Sequence, residues 1–182
     1  CEMRGDRLFH AHVQWDNLDS KWYRCCYCDS LMILPRPSKK LIREVYENDY
    51  LSKRLQPHTG VDSRVRYSKA YRQTVYTEYE VSLKDLGVTA DSVSSILDFG
   101  CADGIFLEFC KKYFRPDTKL CGTDLSENML SDARERGWDV FSLREFEKMP
   151  VKFDLITLWD VLEHLEDPGT VIESLQKKLS PN

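Results

Sequence analysis

Long apolar runs are missing from this sequence: nothing in its 182 residues approaches the roughly 18 uninterrupted hydrophobic residues that a membrane-spanning helix needs. A surplus of positive charge is missing too. Lys and Arg total 26 against 30 Asp and Glu, a formal net charge of −4, and a chain of that balance is ill suited to gripping nucleic acid through its phosphates. There is no internal repeat, no G-x-x-x-x-G-K-[ST] phosphate loop and no secretory leader at the front of the sequence as it stands. Cysteine is the exception to this sparseness, with seven residues. Those at 101, 110 and 121 fall in apolar patterns, where a thiol behaves as a small hydrophobe. A reduced, cytoplasmic setting is expected, in which a C-x-x-C pair reads as metal-binding or redox-active rather than as a structural disulfide. The remaining balance, 42% hydrophobic and 31% charged, suits one packed domain with a small appendage and excludes a mainly disordered chain.

Residues 1 to about 36 show little helical period, and Tyr23-Arg24-Cys25-Cys26-Tyr27-Cys28 reads as a knuckle between two short strands. Pro35 and Pro37 fix φ, remove backbone donors and mark a boundary. Residues 37–92 are expected to form a helical connector or lid. One helix is capped by Ser38 and buries Leu41, Ile42, Val45 and Tyr46; a longer one carries Tyr67, Tyr71, Val75, Tyr79 and Leu83 at steps of four and ends near Gly87. At helical spacing the tyrosine stripe reads as a core face, with a cover over a ligand as the alternative. From residue 93 to 182 strands alternate with helices. Val93–Phe99, Leu120–Leu125 and Val140–Leu143 read as strands, and Phe153–Leu162 as a long apolar fourth strand and its exit. The segment Ile105–Tyr113, the one capped by Ser126 and stopped at Gly137, and the one opened by Asp167 and Pro168 read as helices. Such alternation implies an α/β fold, a parallel sheet with helices on both faces.

The turn from the first of these strands into the first helix is Asp98-Phe99-Gly100-Cys101-Ala102-Asp103-Gly104. In parallel sheets ligands bind beyond the carboxyl ends of the strands, where the strand order reverses. Gly100 and Gly104 permit tight turning and close approach of backbone to a ligand, and a helix starting near Gly104 offers N–H groups to an anion. The dinucleotide fingerprint G-x-G-x-x-G would put Gly100, Ala102 and Ile105 at its glycine positions. Ile105 removes the small residue that close helix–strand packing needs, which disfavours a nicotinamide dinucleotide. Taken alone, a glycine-bearing turn without a ligand stays open. Asp124, 26 positions after Asp98, adds a carboxylate at the end of the second strand, placed to accept hydrogen bonds from both hydroxyls of a ribose. The alternative duty, capping the next helix, already falls to Ser126.

These residues resemble the class I S-adenosylmethionine-dependent methyltransferases over Ile96 to about Lys178. The resemblance rests on the acidic glycine loop Asp98 to Gly104, on Gly122-Thr123-Asp124-Leu125-Ser126, and most specifically on Phe153 to Leu165, with Trp159-Asp160-Val161-Leu162-Glu163-His164 followed by Asp167-Pro168. Ala102 departs from the family's middle glycine, and slight crowding is expected there. The resemblance implies a Rossmann-like sheet in the order 3-2-1-4, with the later strands of the family's seven-stranded sheet missing, so that the chain reads as the middle of a longer enzyme. It implies that Asp98 and the backbone of Gly100, Cys101, Ala102, Asp103 and Gly104 hold the methionine end of S-adenosylmethionine. Asp124 would take the ribose hydroxyls with Leu125 beside the adenine, and the adenine edge would fall near Arg144, Glu145 or Phe146. Trp159 and Asp160 would lie where cofactor meets acceptor.

The front of the chain is similar to a small zinc-ribbon-like module carried by many bacterial members. That likeness implies Cys1, Cys25 and Cys28 as ligands of a structural zinc, with Cys26 out of register and a fourth thiolate outside this sequence; a pair of reduced thiols in a hairpin is the alternative. Methyl transfer demands alignment of the reacting atoms and exclusion of water, and a base only where the nucleophile sheds a proton. His164, with Asp160, is the nearest catalytic candidate; a solvated histidine packing the turn is the plainer reading. The fourth strand lacks an N-P-P-Y sequence of the kind expected for amine or amide targets, so a small-molecule acceptor is expected, by analogy a sugar nucleotide. The competing function is a non-catalytic scaffold whose ribbon recruits a partner.

Overall fold

The computed structural model describes residues 7–15, 18–25, 28–35, 38, 40 and 68–181, and the chain divides into two compact units, Cys1–Arg43 and Glu44–Asn182. In the first unit β1 (Arg7–Trp15), β2 (Leu18–Arg24) and β3 (Leu31–Leu34) form an antiparallel meander in chain order. The knuckle joins β2 to β3. Cys25 N–H donates to the Ser30 carbonyl at 2.8 Å and Asp29 N–H to the Cys25 carbonyl at 2.9 Å. Asp29 turns the chain with φ 61° and accepts from Arg24 Nη1 at 2.9 Å. The unit thus holds a further strand, β1, ahead of the two short strands that the sequence suggests on either side of the knuckle. The helix expected after Ser38 and the residues Tyr46 and Tyr67 lie outside the described residues.

In the second unit everything is arranged about β4 (Ser95–Phe99), which runs parallel to β5 (Lys119–Asp124) on one side and β7 (Leu155–Thr157) on the other, with β6 (Val140–Ser142) beyond β5. The order β6-β5-β4-β7 is the expected 3-2-1-4. Both faces of β4 are buried, as a parallel sheet requires. Ile96 packs with α1 (Lys69–Asp85) and α2 (Ile105–Tyr113) through Tyr79, Leu83, Phe106 and Phe109. Leu97, on the opposite face, packs with Phe146 of α4 (Leu143–Lys148) and Leu175 of α5 (Pro168–Gln176). A third cluster joins Leu107 of α2 to Leu130 and Ala133 of α3 (Glu127–Glu135). Helix α1, read from the sequence as part of a connector, therefore packs inside the α/β unit, with Tyr79 and Leu83 buried.

The strand bounds differ from expectation for local reasons. The third strand was expected to run to Leu143 but stops at Ser142, because Ser142 and Glu145 form a reciprocal capping box that opens α4. The fourth strand and its exit are expected over Phe153–Leu162, and of that range the strand itself takes only Leu155–Thr157. Before it, the Asp154 carboxylate accepts from the N–H groups of Ser94 and Ser95 at 2.8 and 3.0 Å. After it, Asp160 takes φ 53° and a 3-10 turn follows at Leu162–His164. Phe153 bridges in parallel to Leu179, with the Phe153 N–H donating to the Lys178 carbonyl and the Ser180 N–H to the Phe153 carbonyl, both at 2.8 Å. Among the described residues no helix is long and apolar enough to cross a membrane.

Leu97 is fully buried at the centre of this sheet, so Leu97→Ala is expected to cost about 2–5 kcal/mol. Urea unfolding should show a lower midpoint at an unchanged slope.

Candidate cofactor site

The carboxyl ends of β4, β5 and β7 bring Asp98, Asp124 and Thr157 to one rim of the sheet. The register sets this directly, since Asp98 lies opposite Gly122 in β5 and opposite Thr157 in β7. Asp98 is only 3% exposed, and its Oδ1 accepts the Thr157 hydroxyl at 2.9 Å. Burial pushes its carboxyl up to about 7; the bond from Thr157 works the other way, and the charge of Asp124 adds to the rise.

The loop after β4 folds back onto β5. Gly100 and Cys101 donate their N–H groups to the Thr123 carbonyl at 2.7 and 3.0 Å. Gly100, Ala102 and Gly104 all take left-handed φ values, 85°, 47° and 85°. A side chain at Gly100 would collide with Val161, its Cβ 2.3 Å from a methyl carbon, so both space and backbone demand glycine there. Ala102 is held by Asp124, whose Oδ2 accepts the Ala102 N–H at 2.9 Å while Oδ1 accepts the Ser126 N–H at 2.8 Å. Asp124 therefore ties the glycine loop to the turn that opens α3, where Ser126 caps Met129. Asp103 is 1% exposed and paired with Arg136, Nη1 to Oδ2, at 3.0 Å. Cys101 is buried beneath the loop, and burial pushes its thiol far above the ordinary range, as it does that of Cys110. These thiols are packing groups rather than nucleophiles.

Beside this rim, Leu125 stands 36% exposed next to Asp124. Trp159 packs on Tyr79 and Phe106 with ring centroids 4.6 and 5.4 Å away, and its buried indole N–H meets no acceptor among the described residues. Asp160 is exposed, and His164 is about half exposed with Nε2 3.9 Å from Glu163 Oε1. Of the residues suggested for an adenine edge, Arg144 is exposed. The Glu145 carboxylate accepts from the Ser142 N–H and hydroxyl at 2.8 and 2.7 Å, and the Phe146 ring is buried against Phe99 and Phe153. Thr157 was not singled out in the sequence. Its signal was there: a lone hydroxyl in an apolar strand, placed by register opposite Asp98.

In the first unit Cys25 is buried and Cys28 exposed. Hydrogen bonds from Ser30 hold the Cys28 thiol below its ordinary range. Cys1 lies outside the described residues, and among the described residues no group of three or more His, Cys, Asp or Glu is placed to hold a metal.

A parallel sheet in the order β6-β5-β4-β7, with an acidic glycine loop at the point of reversal, is a Rossmann-like arrangement, the one that class I S-adenosylmethionine-dependent methyltransferases use. The chain belongs to the methyltransferase domain family, whose model matches residues 71–182. It is 32% identical over 96 residues to the ubiquinone biosynthesis O-methyltransferase of Pseudomonas entomophila, a match covering 47% of this chain and 40% of that protein. An uncharacterised protein of Synechococcus is 31% identical over 96 residues, covering 47% of this chain and 23% of its own length. The chain thus spans less than half the length of these curated relatives. Among solved structures, magnesium protoporphyrin IX methyltransferase from Synechocystis PCC 6803 with bound SAM aligns with a TM-score of 0.54 at 16% identity, over 81% of this chain and 74% of that one. The plantazolicin methyltransferase BpumL, in complex with a pentazolic desmethylPZN analog and SAH, aligns with a TM-score of 0.52 at 22% identity, over 76% and 53%. At these identities the likeness is one of fold.

The raised Asp98 carboxyl has a signature in stability. It binds its proton more tightly folded, near 7, than unfolded, near about 3.9. Its contribution is complete below about pH 4 and is lost as pH rises through about 7. In urea titrations the ligand-free protein is expected to lose stability over that window relative to Asp98→Asn, whose amide does not titrate. Parallel pH profiles for the two proteins would exclude the raised carboxyl.

Proposed function

We propose that this chain is the cofactor-binding part of an S-adenosylmethionine-dependent methyltransferase acting on a small-molecule acceptor. The observation that carries the reading is the Asp124 carboxylate, fixed by the Ala102 and Ser126 N–H groups at the end of β5 beside a left-handed glycine loop. A carboxylate oxygen accepts more than one hydrogen bond, so the clamp is compatible with Asp124 also receiving ribose hydroxyls. Asp98 suits the methionine end. A buried carboxyl that burial holds near neutrality is stabilised as the anion by an adjacent ammonium. The backbone of Gly100, Cys101, Ala102, Asp103 and Gly104 would line the same end, and Leu125 offers apolar surface to the adenine. The adenine edge would fall near Arg144, Glu145 or Phe146, at the start of α4.

When bound, the cofactor supplies a sulfonium-activated methyl group. The chain's own residues then have the tasks of orienting the acceptor and keeping water out. Trp159 and Asp160, just past β7, would form the wall between cofactor and acceptor, and the buried indole N–H of Trp159 is a donor in want of a partner. His164 would accept a proton where the acceptor nucleophile carries one; its Nε2 lies 3.9 Å from Glu163 Oε1. A small acceptor is supported by the net charge of −4, which disfavours nucleic acid. A reduced cytoplasmic setting is supported by the buried thiols of Cys101, Cys110 and Cys121. A structural zinc would need Cys1 and a fourth thiolate together with Cys25 and Cys28, since two thiolates do not complete a tetrahedral site.

Calorimetric titration of the chain with S-adenosylhomocysteine tests the reading. The wild type is expected to bind, and Asp124→Ala to weaken binding roughly 10- to 100-fold through loss of charge-assisted hydrogen bonds. No binding by the wild type would overturn it. Incubation of a metabolite extract with methyl-labelled cofactor separates enzyme from scaffold, a labelled small molecule being the enzyme's outcome.

A further inference from the structure

We propose that the turn between α3 and β6, Arg136-Gly137-Trp138, is a brace that holds the glycine loop in its cofactor-binding conformation, with Arg136 as the positioning residue; this rests on the cofactor reading above. The turn is itself rigid. Trp138 N–H donates to the Ala133 carbonyl at 3.1 Å and Gly137 N–H to the Arg134 carbonyl at 2.9 Å, with Gly137 at φ 83°. That pair of bonds is the Schellman closure of a helix. The side chains on either side of Gly137 then reach two consecutive loop residues. Arg136, at 34% side-chain exposure, donates to the Asp103 carboxylate, which is 1% exposed. Trp138 lies against Gly104, so close that a Cβ there would sit 2.6 Å from the indole Cδ1.

The loop is thus held at both ends. Its first half hangs on β5 through Thr123 and Asp124; its second half rests on the α3–β6 turn. Between them Ala102 occupies a left-handed conformation, φ 47°, which a residue with a side chain keeps only when its surroundings over-determine it. Asp103 supplies that determination only while its buried charge is paired. Removal of the guanidinium takes away a countercharge from a carboxylate buried inside the unit, and the loop relieves this by moving Asp103 toward water. A loop that spends less time in the binding conformation lowers apparent affinity in proportion.

The test compares wild type, Arg136→Met, which keeps the apolar stem, and Arg136→Lys, which keeps the charge. One arm is amide hydrogen exchange at Cys101 and Ala102 in the ligand-free chain. The other is titration with S-adenosylhomocysteine well below the unfolding midpoint. Arg136→Met is expected to exchange about tenfold faster at those two amides and to bind about tenfold more weakly, while the amides of β4 and β5 keep their protection and Arg136→Lys recovers most of both losses. A purely structural role would lower the midpoint alone. Unchanged exchange, or faster exchange with unchanged affinity, overturns the proposal. If the wild type does not bind, the cofactor reading falls and the exchange arm alone decides the brace. If Arg136→Met does not fold, Arg136→Gln takes its place in both arms.

Discussion

One carbonyl carries the site. Thr123 accepts the N–H groups of both Gly100 and Cys101, so the chain leaving β4 cannot run on into solvent and must fold across the end of β5. That contact is possible only because Gly122 has no side chain; a Cβ there would lie 2.6 Å from Cys101 Sγ and 2.8 Å from its Cβ. The small residue in β5 thus admits the buried thiol, the thiol seats the loop, and the loop delivers Ala102 to Asp124. Each step is a matter of space before it is one of chemistry. The buried thiols, with their raised protonation range, serve as filler of the right size.

The two interior carboxylates of the loop have opposite solutions to the same problem. Burying a charge costs several kcal/mol unless a partner compensates it. Asp103 has a guanidinium. Asp98 has a neutral hydroxyl from Thr157, and another carboxylate, Asp124, raises its proton affinity further. A group kept near neutrality by its surroundings is one whose state changes when a cation arrives, and perturbed groups of this kind gather at functional sites. The paired acid holds shape, and the unpaired one responds.

Local chemistry made much of this legible in the sequence. Ser126 and Asp167 cap the helices they precede, Gly87 and Gly137 end theirs with positive φ, and burial of both faces of β4 follows from Ile96 and Leu97. The loop and Asp124 were readable because their contacts are made by residues close to strand ends, where spacing translates into position. Other features depend on partners that spacing does not reveal. Arg136 meets Asp103 across 33 residues, and Thr157 meets Asp98 across 59. The apolar residues of Phe153–Leu162 suggest a long strand and its exit, yet the strand is only Leu155–Thr157, Asp160 turns the backbone and a 3-10 turn follows. The first unit held three strands where the sequence showed two, since cross-strand pairing leaves little periodic trace in a stretch rich in Cys and Trp.

Ala102 shows how a local misfit is absorbed. From the sequence its methyl group looks like a matter of crowding against a ligand. In the structure the difficulty is backbone conformation: a left-handed alanine costs roughly 1–2 kcal/mol, whereas glycine would adopt φ 47° with little penalty. Against that stands the bond from its N–H to a carboxylate oxygen, and hydrogen bonds to charged groups contribute about 1.5–3 kcal/mol. The bond offsets the strain, so alanine is tolerated at the family's middle glycine while the loop keeps its shape. Asp124 would therefore have two duties that pull in one direction. The carboxylate proposed for the ribose also maintains the backbone on which the methionine end would rest, so the loop and the proposed ribose position would be coupled through a single side chain.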